Sequence, residues 1–535
     1  MNTSLPDRHQ KMAIPIIAST LLCWGAFSHS PSLDEVGHFG AGISHWTLGK
    51  FHLYAVNPPL VRMIATVPAV LLGAESDYSE MVSAPEKRFE FEAGKRSIQL
   101  DSATAQTGIA LGRFVLIPLV LLGLWGLRRL LPSSLESHFS IAGVLWLASP
   151  LMLAHGSMIT PDASCASAFV VAVFALRKWL DDFRWSNAVV FGLASGAAML
   201  IKFTSVPIVS FATLLALGFR ITKYDRPFVA HLKGVAQLIC VVSIAFYTIN
   251  AGYGFSESFR PLGSIPFVSE TLAPNQEAIG QAESIGAMRN RFSRSAIAWV
   301  PVPLPQCFVQ GIDIQKHDFE RGNRSYLMGE WKHGGWWYYY LIGFLVKEPI
   351  GFQLMLYGSV LHGLWNWKRW TKEGCREWWL IVLPPVLIFG LVSSQTGFNH
   401  HMRYVLPAYP FLFIVAARTV TLGKFWKWFS YACLTWQAVA VLWFAPHWMS
   451  YFNEAAGGPK NGHKWLVNSN IDWGQDILML KWWQDKHPEA APLRAAMFTM
   501  FDPKDIGLKF KLPAPFVKGQ PEVVTKDGLR GPQPG

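Results

Sequence analysis

Asp34, Glu35 and Asp162 stand where a largely apolar chain gains little from charge unless the charge does something. Asp34 and Glu35 follow directly on the first apolar run, in Ser30-Pro31-Ser32-Leu33-Asp34-Glu35, and Asp162 precedes a later run in Thr160-Pro161-Asp162. A carboxylate at the mouth of an apolar run meets water and lipid headgroups together. That is the place for a general base when one substrate is a lipid phosphate. The same residues also suit helix starts: Asp34 or Ser32 at one helix, and Asp162 after Pro161 at another, can satisfy free N–H groups. Three cations accompany them. Arg403 opens an apolar run and Lys202 separates two. Lys347 lies about ten residues inside another run, where a charge costs roughly 2.5–3.5 kcal/mol on insertion scales. Lys202 as an interface snorkeller and Lys347 as a packing partner of Glu348 are the structural alternatives.

The elements that position these residues are membrane spans. Of 535 residues, 51% are hydrophobic and 15% charged, against roughly a quarter charged in a soluble domain. Apolar runs at 12–29, 108–127, 138–156, 163–180, 187–201, 203–220, 233–250, 336–364, 376–394, 402–420 and 427–446 predict an all-α integral membrane protein of about eleven transmembrane helices. Basic clusters fill alternate short loops: Arg128–Arg129, Arg177–Lys178 with Arg184, Arg220–Lys223–Arg226 with Lys233, Lys368–Arg369–Lys372–Arg376, and Lys424–Lys427. All fall on one side if the runs alternate from a cytoplasmic N-terminus. The segments 30–107 and 251–335 and the tail 447–535 then lie outside, around a membrane body of residues 1–446. Arg403 stands at the outer end of its run, opposite the side that positive charge favours. Counting 60–73 as a span would flip every later loop, so it is read as an interfacial or re-entrant helix begun by Pro58–Pro59.

The net charge of +12 sits mainly in those loops, so it orients the chain and gives no reason to expect nucleic acid. Six scattered cysteines form no CxxC pair or disulfide framework. The N-terminal run lacks a small-residue cleavage site and is read as a retained span. Residues 511–535, rich in Pro, Gly and Lys, read as a loose end. His38, His45 and His52 recur every seven residues and His400–His401 are adjacent, without the spacing of a zinc site; interfacial or substrate-contacting histidines are the better reading. Trp336 to Tyr340 reads as an interfacial belt, with a carbohydrate platform as the alternative. Asp472 to Asp476 reads equally as acceptor contact or structural turn.

The order of these motifs resembles the GT-C membrane glycosyltransferases, most closely the branch of the protein O-mannosyltransferases and the lipid A aminoarabinose transferase. An acidic pair after the first span is followed by Asn57-Pro58-Pro59-Leu60, Thr160-Pro161-Asp162, Lys202-Phe203-Thr204, Gly334 to Tyr340, Lys347-Glu348-Pro349, Arg403 to Pro407, and Tyr451-Phe452-Asn453-Glu454 through Asp476. Asn57 departs from the His or Lys that many relatives carry, and 75–107 looks inserted.

The resemblance implies transfer of a sugar, with inversion, from a polyprenyl-phosphate donor to an acceptor hydroxyl at the outer face of the plasma (inner) membrane. It implies Asp34 as general base, with Glu35 as support or metal ligand. Arg403 is the first choice for the leaving phosphate, because a guanidinium holds two phosphate oxygens at once, with Lys347 and Lys202 second. Asp162 would position the acceptor or join Asp34 and Glu35 around a divalent cation such as Mg or Mn; metal use is left open, and no organic cofactor is expected. Asn57, His400, Trp336 and Asp472 are candidate substrate contacts. The acceptor is a glycan, a lipid or a protein. Competing readings are a transporter or flippase of lipid-linked glycans, disfavoured because the polar residues gather at one face rather than at mid-depth, and an O-antigen-ligase-like protein, which would not need the early acidic pair.

Overall fold

The structure is a computed structural model describing residues 5–79, 88–223, 228–273, 290–366 and 372–512. In chain order its helices are α1 (Leu5–Ser28), α2 (Leu33–Leu48), α3 (Leu60–Leu71), α4 (Phe89–Leu100), α5 (Ser102–Leu130), α6 (Phe139–Leu147), α7 (Pro150–Gly156), α8 (Pro161–Asp181) and α9 (Trp185–Ile201). There follow α10 (Ser205–Lys223), α11 (Phe228–Gly252), α12 (Gln306–Arg321), α13 (Tyr339–Lys347), α14 (Ile350–Trp365), α15 (Lys372–Ser394), α16 (Tyr409–Ala417), α17 (Lys424–Trp443) and α18 (Ile477–Lys486). Among the described residues, strands occur only as a hairpin, β1 (Arg324–Leu327) with β2 (Glu330–His333), and a short parallel pair, β3 (Leu493–Arg494) with β4 (Phe510–Lys511). This is the all-α membrane architecture that the apolar runs predict.

Five stretches among the described residues are long and apolar enough to cross a bilayer: Ser102–Leu130, Pro161–Asp181, Leu232–Gly252, Glu377–Ser394 and Met402–Thr421. Two bent pairs raise the number to seven: α1 with α2, bent by 91°, and the 133–147 stretch with α7, bent by 68°. Of the other expected spans, α9 is a continuous helix of 17 residues, α10 of 19 and α17 of 20. The run 336–364 differs most from expectation. It breaks at Glu348–Pro349 into α13 and α14, because the residue before a proline is driven out of the helical region and proline donates no N–H. The 60–73 run is a helix of 12 residues, about 18 Å long against a hydrocarbon core of about 30 Å. It is too short to cross. Arg226, Lys368, Arg369 and most of the 511–535 tail lie outside the described residues.

The core centres on α8, buried along nearly its whole length and packed between α5, α9 and the segment before α16. Small residues allow that approach: Ser167 Oγ donates to the Val120 carbonyl at 2.8 Å, and a Cβ on Gly123 would come within 2.5 Å of Ser167 Oγ. The 75–107 stretch also has a position in this architecture. Its helix α4 packs on α2, Gly94 lying against the Val36 carbonyl and Gly40 against the Gly94 backbone. Helix α2, which carries Asp34 in its first turn, is thus braced from behind by α4.

Candidate active site

Three elements bring the predicted charges together. Asp34 lies in the first turn of α2, Asp162 in the first turn of α8, and Arg403 in the 3-10 segment leading into α16. Arg403 Nη2 lies 3.0 Å from Asp34 Oδ2, and Arg403 Nε lies 3.7 Å from Asp162 Oδ2. Lys202, at the end of α9, donates from Nζ to Asp162 Oδ1, and its ammonium lies over the Tyr404 ring. Nε and Nη1 of the buried Arg403 have no hydrogen-bond partner among the described residues. A buried guanidinium with unused donors is a ready seat for an anion.

The two carboxylates differ in access. The Asp34 side chain is 16% exposed and that of Asp162 is 2% exposed, so an acceptor hydroxyl can approach Asp34 more readily. Neither is consumed in capping its helix. Ser32 caps α2, its N–H and Oγ both donating to Glu35 Oε2 at 2.9 Å, and Thr160 occupies the N-cap position of α8. Burial raises the pKa of Asp34 above the ordinary carboxylate value, while Arg403 and then Arg88 oppose the rise.

Glu35 is turned away from this group. It accepts from Arg113 Nε at 2.7 Å and Nη2 at 2.6 Å, and from the Ile159 N–H at 2.8 Å. Arg113 also holds the carbonyls of Ala26, His29 and Ser30. The pair closes the turn between α1 and α2 onto α5, a structural role, and the expected oxygen triad of Asp34, Glu35 and Asp162 does not assemble. Among the described residues no group of three His, Cys, Asp or Glu side chains is arranged to hold a metal ion. Arg113 could have been found in the sequence, because it sits inside an apolar run just as Lys347 does.

The tail supplies the fourth wall. The Trp473 ring lies 4.0 Å beneath the Arg403 guanidinium, a cation–π contact that fixes its plane without using its donors. Asn470 clamps the backbone on both sides of that arginine: its Oδ1 accepts from the Met402 N–H at 3.0 Å and its Nδ2 donates to the His400 carbonyl at 2.8 Å. Ser30 Oγ donates to the Gly474 carbonyl at 2.9 Å, and the Leu33 N–H to the Trp473 carbonyl at 3.0 Å. The Asp472–Asp476 motif is thus a turn, and it sets Trp473 under Arg403. Lys347 serves the same tail. Its ammonium donates to the carbonyls of Met449 at 2.6 Å and Asn470 at 2.7 Å rather than to Arg403's anion seat or to Glu348.

Behind Asp34, His38 is buried one turn along α2, with neither ring nitrogen hydrogen-bonded among the described residues. Burial and the neighbouring Arg62 and Arg403 push its pKa well below the ordinary histidine value. Its ring lies 4.8 Å from that of Tyr54. Asn57 joins through the same tyrosine, donating to Tyr54 Oη at 3.1 Å. Arg62, which sequence reasoning passed over, pins the loop by donating to His45 Nε2 at 2.8 Å and to the carbonyls of Tyr54 and Asn57.

The remaining predicted contacts sit apart. Trp336 is buried, its N–H donating to Asn399 Oδ1 at 2.6 Å, and Tyr339 and Tyr340 are buried too; of that aromatic run only Trp337 is strongly exposed, which limits the belt reading to one ring. His400 stacks on Phe398 and bonds the Arg324 carbonyl. Asp472 is exposed and accepts from the Gly474 N–H at 2.8 Å.

Residues 98–247, which contain Arg113, Asp162 and Lys202, match the family model described as dolichyl-phosphate-mannose-protein mannosyltransferase. The matched stretch is 150 of the chain's 535 residues. Asp34, Glu35 and Arg403 lie outside the matched stretch, so their roles rest on geometry. Among solved structures the chain is similar to ArnT from Cupriavidus metallidurans in the apo state, at 12% identity and a TM-score of 0.43, over 82% of this chain and 69% of that one. No curated protein matches the sequence.

Proposed function

We propose that this chain is a GT-C membrane glycosyltransferase that moves a sugar, with inversion, from a polyprenyl-phosphate carrier to an acceptor hydroxyl at the outer face of the plasma (inner) membrane, its N-terminus cytoplasmic and its tail external. The supporting observation is the Arg403 guanidinium, which touches Asp34 and Asp162 and keeps Nε and Nη1 unbonded. In this reading the donor phosphate docks on those free N–H groups, with the Lys202 ammonium nearby. Asp34 takes the proton of the acceptor O–H as that oxygen attacks the anomeric carbon. The bond from that carbon to the phosphate oxygen breaks, and the electron pair leaves on the carrier phosphate, where Arg403 meets the developing charge. Asp162 holds Lys202 and Arg403 in place.

The test uses the full chain in vesicles with a synthetic polyprenyl-phosphate sugar and a mixture of glycan, lipid and peptide acceptors. Asp34→Asn is expected to lower transfer by about 10²–10⁴-fold, the usual contribution of a general base, with donor binding retained. Full transfer by a folded Asp34→Asn protein would overturn the assignment.

A further inference from the structure

The segment after α11 carries a feature that the transfer reaction does not use. Residues 259–263 and 298–302 form an antiparallel ribbon: the Phe259 N–H donates to the Val302 carbonyl at 3.0 Å, Leu262 to Val300 at 2.9 Å and Gly263 to Ala298 at 2.8 Å. The ribbon covers a small core of its own, built on Ile265, Phe267 and Ala273. Beside the exposed Arg260–Glu257 ion pair, it presents aromatic and aliphatic side chains outward. Trp299 is 75% exposed, and Phe255, Phe259 and Ile297 are also exposed. A soluble face would not favour that composition.

The ribbon is rooted at the membrane boundary. Asn250, in the last turn of the α11 span, accepts from Ser258 Oγ and donates to the Pro303 carbonyl at 3.0 Å, fixing both limbs. Phe255 is three residues beyond the span, within about 11 Å of it even if fully extended. It packs edge-on against Tyr247, which is 61% exposed on the span itself. The aromatic side is therefore continuous with a lipid-facing surface. Phe255, Glu257 and Phe259 all take left-handed backbone, with φ of 56°, 51° and 61°, a conformation that bulky side chains avoid unless the fold requires it. Arg291 and Arg294, both exposed, add positive charge to the same lobe.

We propose that this ribbon is a membrane-surface anchor. Phe255, Phe259, Ile297 and Trp299 enter the boundary between headgroups and acyl chains, where aromatic rings settle, and Arg291 and Arg294 contact anionic lipid phosphates. The seating has a consequence for the protein. Ser256, Glu257, Gln306 and Gln310 from this lobe face Lys50 and His52 across a cavity of about 490 Å³, so the anchor sets that cavity at headgroup depth.

The test is nitroxide depth measurement on the full chain in vesicles of phosphatidylethanolamine with phosphatidylglycerol. Ile297→Cys and Trp299→Cys are labelled separately, with Tyr247→Cys as the lipid reference and the exposed Glu330→Cys as the aqueous one; the unsubstituted chain corrects for its native cysteines. Labels at 297 and 299 are expected to meet oxygen freely and a water-soluble nickel chelate poorly, as at 247. Nickel access equal to that at 330 overturns the proposal, and so does shielding from both reagents, which would mean a protein cover. Arg291→Gln with Arg294→Gln is expected to make the depth insensitive to phosphatidylglycerol. Depth that ignores phosphatidylglycerol in the unsubstituted lobe overturns the phosphate contact.

Discussion

Arg403 Nη2 lies 3.0 Å from Asp34 Oδ2. The group suited to receive the leaving phosphate is therefore the partner of the group suited to remove the acceptor proton. A phosphate docking on the same guanidinium shares its charge with Asp34, weakening the hold on the carboxylate and raising its basicity as the donor arrives. In the proposed reaction, donor binding and base strength would be coupled through this one side chain.

That coupling predicts the pH profile. The base must be ionised, and burial raises its pKa while Arg403 lowers it. Transfer should thus fall as pH drops through a value above the ordinary carboxylate range. In Arg403→Gln the lowering influence is gone and burial acts with less opposition, so the proton binds more tightly. The acid limb of kcat/KM is expected to move to higher pH, with the rate itself down by about 10²–10³-fold, as when one transition-state donor is lost. A limb that stays put or moves to lower pH would break the link between the two residues.

Trp473 holds the plane of Arg403 from below. Trp473→Phe keeps an aromatic face and should cost little. Trp473→Ala should raise the donor KM, because a loosened guanidinium must be ordered again for each phosphate, while leaving the acid limb near its original position. Titrating donor and acceptor separately in the two variants distinguishes this from general loosening, which would affect both substrates alike.

Glu35→Gln should behave unlike its neighbour. It leaves Arg113 buried and uncompensated among α1, α2 and α5, and breaking such a pair costs about 3–5 kcal/mol. The expected outcome is a large drop in thermal stability in detergent. Asp34→Asn, at a partly exposed position, should melt close to the parent. Equal melting of the two variants would contradict the division of labour drawn between these adjacent acids.

The adjacency shows how far the sequence could be read. Asp34, Asp162, Lys202 and Arg403 stand out in the sequence because a charge at the end of an apolar run is unusual, and the alternate basic loops put Asp34, Glu35, Asp162 and Arg403 on one face. Glu35 was not legible. Side-chain direction one residue along a helix turns by about 100°, and only the packed neighbours reveal that this turn aims at Arg113. Trp473 and Asn470 lie some seventy residues from Arg403 along the chain, and no local pattern declares such a contact. The break at Glu348–Pro349 carried its signal in the proline, but the surrounding apolar run outweighed it.

The contact of α4 with α2 offers a test away from the charged group. A Cβ on Gly94 would lie 1.9 Å from the Val36 carbonyl and force α4 away from α2. Backbone cannot yield as a flexible side chain can, so Gly94→Ala is expected to cost about 1–3 kcal/mol of stability, the range for overpacking. It should also lower kcat, because α2 carries Asp34 toward Arg403. Gly73, where a Cβ would meet nothing within 4 Å, has a positive φ and suits a strain control: Gly73→Ala should lose stability without a matching fall in kcat. If Gly94→Ala lowers stability yet leaves kcat unchanged, α4 only fills space, and α2 is positioned by its other contacts.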